Sequence, residues 1–256
     1  MTRRYSMDRR AYLRTVGAVG ATAAVAGCVG GDDDVIVPGT ASGFPPFEFT
    51  EDGELVGFDI DLTEAVIEEA GYEVGDWTDI EFDSLIPSLT EGDIDFIAAA
   101  MTITDDRAET IAFSDPYYES DQAVLVREDD DFEPETVDDF EGYRIGAQSG
   151  TTGESEVEAL IDDGVVDESD YRQYDNYTLA VQDLENGNVD AIVIDIPVAN
   201  NFADSRAVRI AFVIETGEQF GFGMRQDDDR LADINEGLAA VQDDSTYEEL
   251  VETWFE

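Results

Sequence analysis

The side chains that this sequence lacks restrict its chemistry. The 256 residues contain no histidine and one cysteine, and all 13 basic residues are arginine. A Ser-His-Asp triad, a lysine Schiff base and a His-ligated zinc site are therefore excluded. A Walker-type phosphate loop needs lysine, and the aspartate runs at 32–34, 129–131 and 227–229 lack calcium-loop spacing. We expect no cofactor and no metal, so any chemistry must use carboxylates, hydroxyls or arginine.

Arg107 occupies a position that suggests a binding role. Its planar guanidinium could hold a carboxylate through two parallel hydrogen bonds, and Thr102 could add its hydroxyl or amide. The competing interpretation is an ion pair on a helix surface with Asp105, Asp106 or Glu109. Spacing alone favours the ion pair.

Two further positions could bind charged groups. Asp195 ends an apolar run, where a carboxylate is costly unless it is paired. It therefore suits an ammonium group, or it caps a helix that begins before Pro197. Residues 150–153, Gly-Thr-Thr-Gly, have the composition of a strand-to-helix turn, and amide groups at a helix start favour anions. Because such turns are also common as plain connections, both interpretations stay open.

The elements that must position these residues are short apolar runs alternating with helical stretches from residue 35 onward. This alternation predicts an α/β architecture with largely parallel sheets. Residues 89–95 and 184–190 repeat one plan, in which a helix ends at a glycine and a strand begins. Ligands of such sheets bind beyond the carboxyl ends of the strands, which singles out residues 100–104 and Asp195.

Two extended runs, 122–127 and 219–224, are predicted to be paired crossings between two lobes. After the second crossing, residues 231–241 and 247–255 have the apolar spacing of amphipathic helices. We expect these helices to return to the first lobe. The first lobe would then be discontinuous, formed by residues 35–121 and 222–256, and residues 122–221 would form the second lobe with its hinge strands.

The first 27 residues have the features of an export leader. Residues 8–14, Asp-Arg-Arg-Ala-Tyr-Leu-Arg, resemble a twin-arginine signal, and residues 25–28, Val-Ala-Gly-Cys, resemble a lipobox. The uncharged stretch between them is shorter than the roughly 20 apolar residues that a transmembrane helix needs. We predict a signal peptide over 1–27, lipidation at Cys28 and a linker to residue 34. A basic tail before a buried cysteine is the alternative.

The charge of the chain predicts a folded halophilic protein. Its 63 acidic and 13 basic residues give a formal net charge of −50, while 43% of the residues are hydrophobic and 10% aromatic. Those apolar residues suffice for a core, and concentrated salt screens the repulsion between surface carboxylates. Nucleic acid is not an expected partner, because phosphate binding needs clustered basic side chains.

Residues 57–62, Gly-Phe-Asp-Ile-Asp-Leu, resemble the signature of the family 3 extracellular solute-binding proteins, the amino-acid receptors of ABC importers. Further motifs follow in the family's order, at residues 44–47, 85–89, 101–107, 113–118, 150–152 and 247–250. The resemblance implies a type II periplasmic-binding-protein-like clamshell with two lobes and two hinge strands. It also implies a lipoprotein of haloarchaeal type that is monomeric and lies at the extracellular face of the membrane.

The same resemblance implies an amino-acid site with no catalytic residue. Arg107 and Thr102 of one lobe, with Thr152 of the other, would hold the α-carboxylate. Asp195 would accept the α-ammonium group, and the Ala100 carbonyl and the Thr102 hydroxyl would complete its shell.

Aromatic walls and specificity positions are also implied. Phe44 and Phe82 would cover the ligand with ring faces, although either could instead be a core residue. Specificity should depend on Gln148 and Ile194, with Ala41 as a weaker candidate. Glutamine-binding relatives can have lysine and histidine at the first two positions, so the ligand is expected to be another polar, neutral amino acid.

The predicted function is that of the substrate-binding component of an ABC importer, which delivers an L-amino acid to a membrane permease. An enzyme resembling cyclohexadienyl or arogenate dehydratase, on the same clamshell fold, is the main alternative. A ligand-sensing surface protein is a third. Asp121 lies where relatives often carry glycine, and the sequence assigns it no role.

Overall fold

The structure is a computed structural model that describes residues 34–129 and 131–255. The predicted signal peptide, Cys28 and nearly all of the linker lie outside these residues. The β-strands are β1 (Val35–Ile36), β2 (Pro38–Thr40), β3 (Phe49–Glu51), β4 (Glu54–Val56), β5 (Glu73–Val74), β6 (Thr78–Asp79), β7 (Phe96–Ile97), β8 (Ile111–Phe113), β9 (Tyr118–Arg127), β10 (Ile145–Gln148), β11 (Tyr171–Tyr174), β12 (Ala191–Asp195), β13 (Val208–Phe220) and β14 (Gly223–Arg225).

Helices connect these strands. The α-helices are α1 (Phe58–Glu69), α2 (Leu85–Glu91), α3 (Asp105–Ala108), α4 (Thr152–Asp162), α5 (Tyr177–Glu185), α6 (Ile196–Ser205), α7 (Leu231–Asp243) and α8 (Ser245–Phe255). The two repeated helix ends are confirmed. Helix α2 ends at Gly92 in the left-handed region, with φ +84°, and Gly187 takes φ +75° just after α5. Within the described ranges, no helix has the length and apolar character needed to cross a bilayer.

Two five-stranded sheets form the two lobes of the predicted clamshell. The first sheet has the order β6-β2-β7-β14-β8, and the second has the order β11-β10-β12-β9-β13. We call the bodies around them the first and second lobes. Two further pairs of short strands come from the same part of the chain as the first sheet. Strands β3 and β4 pair antiparallel, and β1 and β5 pair parallel.

Both sheets are mixed, so the prediction of largely parallel sheets is wrong. Strand β2 is parallel to β6 and β7, whereas β14 is antiparallel to β7 and β8. In the second sheet, β10 is parallel to β11 and β12, whereas β9 is antiparallel to β12 and β13. The antiparallel strands, β9 and β14, lie next to the crossings between the lobes. A strand that enters a sheet from a crossing does not need the helical connection that joins parallel strands.

The crossings between the lobes are paired, as predicted, but at different residues. Strands β9 and β13 pair through Ser120 with Glu218 and through Tyr118 with Phe220. Residues 122–127, predicted as a crossing, instead lie inside the second sheet. Asp121 has a structural role here, because its Oδ1 accepts hydrogen bonds from the amides of Thr216, at 2.8 Å, and Gly217, at 2.7 Å.

The two C-terminal helices pack against helix α1. Helix α7 buries Ile234, Leu238 and Val241 in the same core as Leu62 and Val66 of α1. Helix α8 is tied to α1 by a hydrogen bond of 3.0 Å from Trp254 Nε1 to Asp61 Oδ2. The proposed sequence limits of the lobes, 35–121 with 222–256 and 122–221, stay a prediction.

Candidate ligand-binding site

A cavity lies between residues of the two sheets. The strand ends singled out from the sequence lie around it. All eight side chains predicted for the site line this cavity: Phe44, Phe82, Ala100, Thr102, Arg107, Gln148, Thr152 and Asp195. Ala41, Glu48, Ala99 and Thr151 complete the lining.

Arg107 spans the cleft between the lobes. Its amide donates to Thr104 Oγ1, which caps α3, while Nη1 donates to the Thr102 carbonyl at 2.6 Å. Nη2 donates to the Gly150 carbonyl of the second lobe at 2.8 Å. The guanidinium carbon lies 5.4 Å from the centroid of the Phe82 ring, within the range of a cation–π contact.

The predicted alternative for Arg107, a surface ion pair, does not form among the described residues, where its guanidinium donates to two carbonyl oxygens. Burial lowers the pKa of the Arg107 guanidinium, and the charges of Glu218 and Asp195 oppose that change. A partly buried guanidinium that forms no ion pair within the described part of the chain is suited to an anionic ligand group.

Asp195 ends β12 inside the cavity, with only 5% of its surface exposed. It occupies the N-cap position of α6, but its side chain makes no capping hydrogen bond, which disfavours the helix-cap interpretation. Within the described residues Oδ1 has no hydrogen-bond partner. Burial raises the pKa of Asp195 well above its usual range, and the charge of Glu218 raises it further. A cation would satisfy this carboxylate.

Glu48 is a cavity residue that the sequence reasoning missed. It is 1% exposed, and Oε2 has no hydrogen-bond partner in the described part of the chain. Burial, followed by the charges of Asp59 and Asp195, raises the pKa of Glu48 well above its usual range. The signal that could have found it is its place directly after the Phe-Pro-Pro-Phe motif at 44–47.

A tight turn presents Phe44 and Glu48 together. The amides of Gly43 and Phe44 both donate to the Glu48 carbonyl, at 3.1 and 2.9 Å, and the Phe47 amide donates to the Phe44 carbonyl. The Phe44 ring is buried against Tyr177 of the second lobe, with 5.6 Å between ring centroids. Phe82 lies at the start of a short 3-10 helix (Phe82–Ser84). Both aromatic residues predicted for the site, Phe44 and Phe82, line the cavity.

Two threonines meet across the cleft. Thr102 Oγ1 lies 2.9 Å from Thr152 Oγ1 and donates to Glu218 Oε2 at 2.6 Å. Glu218 also accepts from Gln122 Nε2 and Thr216 Oγ1, each at 2.8 Å. Since an ionised carboxylate only accepts, the Thr102 proton is directed to Glu218 and the Thr102 oxygen becomes an acceptor. The Thr102 hydroxyl is therefore better suited to an ammonium group than to a carboxylate.

Helix α4 begins at the cavity, as the turn at 150–153 predicts. The Thr151 hydroxyl accepts from the Glu154 amide and donates to the Gln148 carbonyl at 2.8 Å. A Cβ on Gly153 would lie 2.6 Å from Tyr177 Oη and 2.7 Å from the Val193 carbonyl, so only glycine allows this close approach. The start of α4 is thereby set at the cavity, where its amide groups and dipole favour an anion.

The predicted specificity positions divide. Gln148 ends β10 with 4% exposure and lines the cavity, as does Ala41. Ile194 does not line it and packs in the core, because side chains alternate along β12 and Asp195 takes the cavity-facing position.

Comparison with known proteins identifies the family. Residues 36–256 match the bacterial extracellular solute-binding proteins, family 3. A probable histidine-binding protein from Campylobacter jejuni is 35% identical over 220 residues, which cover 84% of this chain and 83% of that protein. The ABC transporter arginine-binding protein 1 of Escherichia coli K12 is 33% identical over 225 residues, covering 85% and 89%.

A solved structure agrees with these sequence relatives. An ancestral arginine-binding protein bound to arginine has a TM-score of 0.81 and 36% identity, covering 87% of this chain and 99% of that chain. These similar proteins are all named as binding proteins, and one belongs to an ABC transporter. The family match extends over both sheets and every cavity residue described above, and the chain belongs to the bacterial extracellular solute-binding proteins, family 3.

Proposed function

We propose that this protein captures a cationic L-amino acid, such as arginine, outside the cell for an ABC importer. The observation that carries the proposal is Glu48, a buried carboxylate in the same cavity as Asp195, with one oxygen that has no partner among the described residues. Together with Arg107, the cavity has two carboxylates and one guanidinium. An amino acid with a basic side chain has the complementary set, two cations and one carboxylate.

Each ligand group then has a proposed partner. The α-carboxylate would bind Arg107 and the start of α4 at Thr152. The α-ammonium would bind Asp195, the Thr102 hydroxyl and the Ala100 carbonyl. Glu48 would hold the charge of the side chain, because a buried carboxylate is costly until a cation or a proton neutralises it.

Phe44 and Phe82 would cover the aliphatic part of the ligand and offer ring faces to its cations. Gln148 is a neutral neighbour that can donate or accept. Glu48 changes the expected ligand from the neutral amino acid inferred from Gln148 and Ile194 to a cationic one. The relatives named for histidine and arginine binding support this change.

Closure of the lobes would follow from contacts to both of them. A ligand held by Arg107 and Glu48 of the first lobe and by Thr152 and Asp195 of the second binds the closed state more tightly, and only this difference drives closure. The closed form would deliver the ligand to a membrane permease. We further propose export by the twin-arginine leader and a lipid tether at Cys28, which would keep a monomeric receptor near its permease.

An enzyme remains the alternative from a different class. Asp195 and Glu48 are buried carboxylates with raised pKa values, which is also how a proton-transferring group is prepared. What favours binding is that the similar proteins are named for binding. Incubation with prephenate or arogenate would produce an aromatic product only if the dehydratase alternative holds. The third alternative, a sensing surface protein, predicts no tight binding of any free amino acid.

A thermal-shift screen of the proteinogenic amino acids in molar salt tests the proposed function. At a ligand concentration a hundred times Kd, a bound amino acid should raise the Tm by roughly 5–10 °C. We expect shifts with arginine, lysine or histidine. Shifts with neutral amino acids alone would contradict the cationic assignment, and no shift with any of them would contradict the receptor function.

A further inference from the structure

Ala100 holds an unusual backbone conformation in the wall of the cavity. Its φ is +44°, and among the described residues Asp52 is the other non-glycine residue with a positive value. Asp52 lies in an exposed turn between β3 and β4, whereas Ala100 is 6% exposed and lines the cavity. The left-handed region is unfavourable for alanine, so the surrounding structure must hold Ala100 there.

Asp59 supplies that restraint without lining the cavity itself. Its Oδ2 accepts a hydrogen bond of 2.7 Å from the Ala100 amide. The same oxygen accepts one of 2.7 Å from the Tyr117 hydroxyl, whose ring stacks on Phe222 with 4.4 Å between centroids. Asp59 is fully buried, and hydrogen bonds to a buried carboxylate are among the strong ones in proteins. Asp59 therefore fixes the Ala100 amide from the side of the cavity wall that faces away from the cavity.

The same segment braces a second wall of the cavity. The Phe58 amide donates to the Pro46 carbonyl, and the Asp59 amide donates to the Phe47 carbonyl, both at 2.9 Å. These carbonyls lie in the turn that presents Glu48. At Gly57, where φ is +141°, a Cβ would lie 2.0 Å from the Phe47 carbonyl oxygen, so the close approach requires glycine.

We propose that Asp59 is a positioning residue for ligand binding, which acts by holding Ala100 in the left-handed conformation. The orientation of the peptide groups on both sides of Ala100 follows from this conformation, and these groups lie in the wall that would hold the α-ammonium. The inference rests on the proposed function and gives the Gly-Phe-Asp segment at 57–59 a role in the site. A carboxylate that only stabilised the fold would affect unfolding and leave the affinity of folded molecules unchanged.

A rescue experiment separates these roles. The dissociation constant for arginine is measured by calorimetry in molar salt for the wild type, Asp59→Ala, Ala100→Gly and the double variant. Circular dichroism measures the folded fraction of each protein. We expect Asp59→Ala to bind about tenfold more weakly. The affinity of Ala100→Gly alone is the reference against which the double variant is compared. The double variant should recover most of the loss, since glycine adopts a positive φ without strain.

Tyr117→Phe is the matched control, because it removes the other hydrogen bond to the same Asp59 oxygen. It should lower the Tm and keep the dissociation constant within about twofold. If Asp59→Ala does not fold, Asp59→Asn takes its place, because the amide oxygen is a weaker acceptor. We then expect affinity to fall at least threefold and Ala100→Gly to restore it in the same way.

The outcomes distinguish the two proposals. A wild-type protein that binds no basic amino acid overturns the proposed ligand. A wild type that binds, with Asp59 variants of unchanged affinity or a loss that Ala100→Gly does not repair, overturns the positioning role alone.

Discussion

At the residue scale, Glu48 determines which ligand side chain suits the cavity. A buried carboxylate oxygen with no hydrogen-bond partner in the described residues is stabilised most strongly by a proton or a cation. Asp195, in the second lobe, likewise has a buried carboxylate oxygen with no hydrogen-bond partner among these residues. The cleft therefore holds two acceptors for positive charge, of which the α-ammonium group can occupy one.

Glu48→Gln should weaken arginine binding and spare neutral amino acids. The substitution keeps the shape and removes the charge, which should cost roughly 2 kcal/mol, or about 30-fold in Kd. Calorimetry measures the change. Glu68→Gln, which removes the same charge from the exposed face of α1, is the control and should bind like the wild type. Equal losses in both variants would mean that the effect is general electrostatics.

Arg107→Ala should abolish binding of every amino acid while the fold is retained. The guanidinium would bind the α-carboxylate that all of them share, and its loss should raise Kd at least 100-fold, about 3 kcal/mol. Arg172→Ala, an exposed arginine whose hydrogen bonds are to Ser169 and Tyr171, is the matched control. Unchanged affinity of Arg107→Ala in high salt would contradict the site assignment.

At the element scale, the start of α4 is fixed by glycine at position 153. Gly153→Ala places a methyl group against Tyr177 Oη and the Val193 carbonyl, so α4 must move away from β12. We expect a loss of about 1–3 kcal/mol in stability, measured by thermal unfolding, together with weaker ligand binding. Ser155→Ala, at an exposed position of the same helix, should change neither quantity appreciably. A Gly153→Ala protein with wild-type affinity would show that the helix start does not contact the ligand.

Local patterns predicted the elements, whereas the family resemblance supplied most of the residues predicted to line the cavity. The apolar spacing of α7 and α8, the glycine after α2 and the end of β12 at Asp195 are properties of short segments, so they can be read without the fold. Strand direction is different. Apolar runs look the same in parallel and antiparallel strands, which is why the mixed sheets were predicted as largely parallel.

Contacts that join distant segments could not be predicted from the sequence. Arg107 meets Gly150 across the cleft, and no spacing rule links them. Glu48 is buried because the turn at 43–48 folds against the start of α1, and in the sequence only its place directly after the motif at 44–47 pointed to the cavity. Ile194 was predicted to contribute to specificity but does not line the cavity, because its neighbour Asp195 takes the inward position on β12.

At the scale of the whole molecule, ligand capture should be linked to protons. Burial raises the pKa values of both Glu48 and Asp195. The groups around Glu48 are Asp59, Asp79 and Asp195, and Asp195 itself faces Glu218 and Arg107. A bound cation favours the ionised carboxylates, so binding must lower their pKa values and release protons.

Arginine affinity should therefore fall as the pH falls, because protonated Glu48 and Asp195 cannot hold a cation. Titration calorimetry in buffers of different ionisation enthalpy at one pH measures the protons released. We expect a net release on binding, which grows smaller at higher pH as the carboxylates ionise without ligand. A binding enthalpy that is independent of the buffer across the neutral range would contradict this linkage.

The excess of 63 acidic over 13 basic residues also bears on every measurement of the whole molecule. Mutual repulsion of surface carboxylates weakens a compact state in dilute buffer, and salt screens it over a few ångströms at 1 M. Affinities of the variants are therefore comparable only at one salt concentration, at which each variant is folded.

The most direct test of a cationic ligand compares arginine with citrulline, which has nearly the same shape and a neutral side chain, in one calorimetric series at molar salt. The wild type should bind arginine at least tenfold more tightly, and Glu48→Gln should lose most of this difference. Equal affinity of the wild type for the two ligands would contradict the assignment of Glu48 to the ligand's side-chain charge.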